Sequence, residues 1–95
     1  MKVSEITYKE IADYIKLTEV SEEDNTLLNN LINIAKTYIK ENTGAKDLDE
    51  YNDFVIVIFI LCQDMYDNRT LYVDNTNINK VVESIMGMHM VGNIC

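Results

Sequence analysis

The chain is poor in nearly everything that binds phosphate or performs chemistry. Eight Lys and Arg stand against sixteen Asp and Glu, a formal net charge of -8. A phosphate-binding surface needs clustered cations, so free nucleic acid is not an expected ligand. Only three glycines are present, and none forms the glycine-rich loop that cradles a nucleotide. The single histidine, His89, has no evident acid-base partner in the sequence, and there is no nucleophile elbow. An enzyme would have to be assembled from carboxylates alone, and no two of these are singled out, so no catalytic residue and no cofactor are expected. Cys62 and Cys95 lack metal-ligand spacing, no paired zinc motif accompanies them, and both thiols are expected free in a reducing compartment. The thioethers of Met86, Met88 and Met90 around His89 are soft enough for Cu(I). Methionine is also an adaptable packing residue, and the stretch reads as an apolar C-terminal arm with no metal. The opening MKVSEITYKE has no apolar segment of the kind a signal peptide needs, which points to a protein that stays in the cytoplasm where it is made.

What the chain does have is one unbroken apolar segment, FVIVIFILC from Phe54, which closes on the polar stretch QDMYDNR. The segment falls short of the roughly 18 apolar residues that a membrane span requires, so it must be buried in protein. Val, Ile and Phe favour strands, and periodicity alone leaves a strand open for so continuous a run. The ends favour a helix over residues 50–66. Asp47 and Glu50 offer a capping pair at its start, and polar residues enter the apolar stripes from Gln63 onward.

Three further helices are expected around it. Thr7 and Glu10 form a capping box, and Ile6 with Ile11 a hydrophobic staple, for a helix over 8–17. Ser21 can cap a second helix over 22–42, with Glu22, Glu23 and Asp24 at its positive end. Leu27, Leu28, Leu31, Ile34 or Ala35, Tyr38 and Ile39 then recur at three- and four-residue spacing, and Gly44 supplies a left-handed stop. After a loop rich in Asp, Asn and Thr, Thr76 or Asn77 can cap a last helix over 77–86, with Gly87 ending it. The composition, 47% hydrophobic and 25% charged, suits one small all-α domain over 1–87 with a tail over 88–95.

Most of the acidic residues at 19–24 and 47–53 are accounted for by helix starts and solvated faces. Arg69 is different. It follows the last turn of the central helix, where a cation meets the negative end of the dipole and can pair with a carboxylate, either within the chain or across a subunit contact.

The order of these features resembles the small head-tail connector, or adaptor, proteins of long-tailed bacteriophages. The matching pieces are VSEITYKEIADYIKL, EEDNTLLNNLINIAKTYIKENTG, the apolar helix ending in MYDNR, and INKVVESIM. Together they span roughly residues 1–86, with AKTYIKENTG and Tyr66 to Arg69 the most specific. This chain departs from the pattern in having no proline before the last helix and in ending with MHMVGNIC. The resemblance implies a non-catalytic, all-helical subunit of a phage or prophage. Such a subunit forms a homomeric ring, a dodecamer on the portal, that joins capsid to a downstream head-completion or tail protein. It would be found in the host bacterial cytoplasm during assembly and then at the head-tail junction of the virion. Double-stranded DNA passes through such a ring without membrane involvement, and an acidic channel wall repels its phosphates. The expected contact residues are Tyr66, Asp67, Asn68 and Arg69 for a neighbour or the portal, and Ile85, Met86, Met88 and Met90 for a docking arm. The alternative is a cytosolic helical regulatory module that binds one protein or peptide in a helix groove. A more distant reading, an acidic mimic of DNA, would need carboxylates spaced like phosphates.

Overall fold

Three of the four helices begin where a short polar side chain takes up amide protons that the first turn leaves free. In the computed structural model, which describes residues 1–89, they are α1 (Tyr8–Tyr14), α2 (Glu22–Thr43), α3 (Asp53–Asn68) and α4 (Lys80–Met88). Thr7 Oγ1 accepts the Lys9 N–H at 3.3 Å, and Glu10 Oε1 accepts the Thr7 N–H at 2.7 Å. Bonds from the Thr7 side chain and backbone to the ionised carboxylate hold Glu10 below its ordinary pKa. Ser21 and Asp24 repeat this exchange at α2, each bond 3.2 Å long.

Two expected starts move by three residues, for one reason. Asp47 spends its carboxylate on the Asp49 N–H at 3.0 Å, closing a 3-10 turn at Leu48–Glu50, so α3 begins only at Asp53 and has no side-chain cap. Asp74 likewise accepts the Thr76 N–H at 3.0 Å and closes the turn Asn75–Asn77, which leaves Asn79 to cap α4 through the Val81 N–H at 2.8 Å. A further 3-10 turn, Val3–Glu5, is tied down across the sequence by the Ser4 N–H, which donates to Asp49 Oδ1 at 2.8 Å. That bond, aided by the fields of Lys2 and Lys36, lowers the Asp49 pKa.

The helix ends divide by residue type. Gly44 closes α2 in the left-handed region at φ 76°, as expected. α1 and α3 end in Schellman motifs with a cation where glycine is usual: Lys16 at φ 63° and Arg69 at φ 57°. Leu17 N–H reaches Ala12 O at 2.9 Å, and Thr70 N–H reaches Met65 O at 3.0 Å. Gly87 does not stop α4, which continues to Met88 because its apolar face is held by tertiary packing.

α2 and α3 form the principal packed pair, α1 lies against both, and α4 covers α3 and part of α2. No strand occurs among the described residues, so Val55 to Leu61 are helical and the domain is all-α. Phe54, Val57, Ile58 and Leu61 of α3 meet Leu28, Leu31 and Ile39 of α2 in a core with exposures of 2% or less. Cys62 is sealed in the same layer, and burial pushes its thiol up to about 12. Thr43, also buried, is satisfied: its hydroxyl donates to Ile39 O at 2.6 Å and accepts the Ala45 N–H at 3.2 Å. The neighbours cover most of α3 and leave one stripe, with Ile56 about half exposed and Phe59 and Ile60 partly covered. Among the described residues no helix is long and apolar enough to cross a membrane.

Candidate functional site

The Schellman turn at Arg69 reverses the chain at the end of α3, and the following residues then run back along α2. That path leaves two adjoining cavities. One, of about 200 Å³, lies between the start of α2 and the end of α3, with Leu27, Leu31, Met65 and Tyr66 as walls and Asp24 and Arg69 also lining it. The other, of about 340 Å³, lies beside the outer flank of α2 at Ile34 and Tyr38, closed on one side by Leu71, Tyr72 and Val73. Leu71 lines both, so together they read as one groove. Leu71 and Tyr72 are each 62% exposed, which is unusual for residues of that size.

Arg69 has a distinctive electrostatic position. Among the described residues no carboxylate lies within 4 Å of it, although Asp24 lines the same cavity. The internal ion pair that its sequence position allowed is therefore absent there. One turn earlier, burial and the neighbouring Asp67 raise the Asp64 pKa. Asn68 turns its side-chain amide back onto Asp64 O at 2.9 Å, while Asp67 remains exposed. Of the expected Tyr66 to Arg69 segment, Tyr66 and Arg69 thus line the groove, and Asp67 and Asn68 flank it on the surface.

The expected docking arm is divided differently. Ile85 and Met86 are 8% and 7% exposed and belong to the core, which corrects their assignment to a free arm. The cause is the spacing of α4: Val82, Ile85, Met86 and His89 fall on one face, and that face packs inward. Met88 is exposed, and Met90 lies outside the described residues.

The same face brings in a feature with no local signature. His89 Nε2 lies 3.2 Å from Asp53 Oδ2, at the first turn of α3. Its ring stacks on Tyr51 at 3.9 Å between centroids and meets Phe54 edge-on at 5.4 Å. The partner that the sequence did not disclose is thus Asp53, 36 positions away. A core-facing position on α4 was the available signal. The pair holds two helix ends together. Among the described residues no group of three or more His, Cys, Asp or Glu is arranged to hold a metal ion.

The chain matches no protein-family model, no curated protein and no solved structure. The site is therefore read from its own chemistry. An apolar groove with exposed rims, beside a guanidinium that has no carboxylate within 4 Å among the described residues, is suited to holding another polypeptide.

Proposed function

We propose that this protein is a head-tail connector subunit of a tailed phage or prophage, forming a ring under the portal through which DNA passes. The observation that carries the reading is the open end of α3. Arg69 occupies a left-handed position that costs a non-glycine residue about 1 kcal/mol or more, and no carboxylate of the described residues lies within 4 Å of it. A guanidinium held there beside an apolar groove is arranged for a neighbour. The order of four helices and the resemblance of Tyr66 to Arg69 to connector subunits give that neighbour a class. A second apolar surface, where Tyr14 stacks on Phe59 at 5.2 Å beside half-exposed Ile56, supports it further. Head-to-tail rings need two different surfaces per subunit, and the groove and this stripe share no residue.

Electron microscopy of the protein mixed with the portal of its own phage tests the reading. Twelve-fold density beneath the portal is the expected result. Mass measurement that finds a monomer or dimer under all conditions, with no density on the portal, would instead favour the regulatory module, for which the groove beside α2 would be a peptide site.

A further inference from the structure

Cations are scarce in this chain, yet three of the eight line one small cavity. Lys36, Lys40 and Lys46 surround a space of about 160 Å³ near the C-terminal end of α2, floored by Val3 and Leu48. Asp47 and Asp49 also line it. Each of these carboxylates accepts a backbone N–H, from Asp49 and Ser4 respectively. Among the described residues none of the three lysines has a carboxylate within 4 Å. Lys36 acts on Asp49 only through its longer-range field, and the three ammonium groups outnumber the two carboxylates of the cavity in a protein of net charge -8.

The densest acidic stretch is at the other end of the same helix. Glu22 and Glu23 open α2, with Glu19 just before them, and none has a cation within 4 Å among the described residues. Asp24 is engaged in the Ser21 cap. The two ends cannot satisfy each other within one molecule. α2 is a single helix of 22 residues, about 33 Å long, and even Glu23 and Lys36 are separated by roughly 20 Å along it. That exceeds the screening length of about 8 Å at physiological salt.

We infer that the lysine cavity of one subunit receives the acidic start of α2, Glu19 to Glu23, from a second copy of this chain. The inference rests on the ring reading and supplies one of its contacts. A heterologous contact between opposite ends of one helix propagates from subunit to subunit, as a ring requires. It also places the groove at Asp24, Tyr66 and Arg69 beside the same boundary, since that groove begins at the acidic end of α2. A second copy is favoured over nucleic acid because Glu19 to Glu23 form a short acidic segment matched to one small cavity, whereas duplex DNA would lay a long run of phosphates across the acidic remainder of the surface.

Zero-length carbodiimide coupling of the full chain, with peptide mapping, tests this contact. Isopeptide bonds from Lys36, Lys40 or Lys46 to Glu19, Glu22 or Glu23 are expected at low salt and should be lost at high salt. Their separation along α2 makes any such bond intermolecular. Two charge-reversed variants sharpen the result. Lys36→Glu/Lys40→Glu and Glu22→Lys/Glu23→Lys should each weaken self-association roughly tenfold when alone and recover it when mixed. Circular dichroism melts would establish that both variants fold. Rings that form without these bonds, or variants that do not rescue each other, would overturn this contact and leave the ring reading standing. Absence of self-association both in solution and on the portal would remove both. Protection of the three lysines by duplex DNA, without intermolecular bonds, would reassign the cavity to nucleic acid.

Discussion

The two ends of α3 are built on opposite plans. At its start, Asp53 and Phe54 are gripped by His89 and Tyr51, so that a helix without a side-chain cap is held by tertiary contacts. At its end, the backbone is closed by a Schellman turn, yet the side chains around Arg69 open onto a groove. One end uses its polar and aromatic groups internally, and the other leaves them available. The groups left open thus lie at the end whose backbone closes on itself.

The largest test of this contrast lies at the closed end. Phe54→Ala should cost about 3–5 kcal/mol, because a fully buried ring is lost from between α2 and α3, and thermal or denaturant melts would read it directly. His89→Ala should cost about 1–2 kcal/mol through loss of the stack on Tyr51 and the contact with Asp53. Amide exchange should show that loss concentrated in α4 and the first turn of α3. An unchanged melt for His89→Ala would mean that the start of α3 is not held there at all.

At the open end the same measurements should give small or inverted effects. Arg69→Gly is expected to leave stability unchanged or to raise it by up to about 1 kcal/mol, since glycine adopts φ 57° without strain, while assembly on the portal is lost. A clear loss of monomer stability would show that Arg69 serves the fold. Asp64→Asn should raise the melting temperature slightly at neutral pH. The folded pKa of Asp64 is raised by burial and by Asp67, so the ionised form is disfavoured on folding. Its stabilising contribution is present below the unfolded pKa and is lost as pH rises through the folded one; the benefit of the substitution should vanish in acid. Tyr72→Ala, at an exposed rim position, should change stability by less than about 0.5 kcal/mol and be detectable only in binding.

This contrast was only half legible in the sequence. Helix starts governed by a side chain and the amides two or three positions on, such as Thr7 with Glu10 and Ser21 with Asp24, can be read locally and were correctly placed. Asp47 misleads because a carboxylate that can cap a helix can equally close a 3-10 turn, and Thr76 and Asn77 mislead because Asp74 draws them into such a turn ahead of α4. The unbroken run from Phe54 concealed which side of α3 was inward, since every stripe was apolar. Ile85 and Met86 look like part of a docking arm because Gly87 breaks the pattern beside them, whereas core contacts carry α4 through it. The groove and the His89–Asp53 pair join residues far apart in the chain, and no spacing rule reports such a meeting.

Cys62 turns the sealed middle of α3 into a clock. Its thiol ionises only near pH 12 and is wholly enclosed, so an alkylating reagent can modify it only in molecules whose core has opened. With Cys95 replaced by serine to silence the other thiol, the labelling rate at Cys62 counts those openings one molecule at a time. A subunit clamped by neighbours would open less often, and the slowing of that clock would measure how long each copy stays in place.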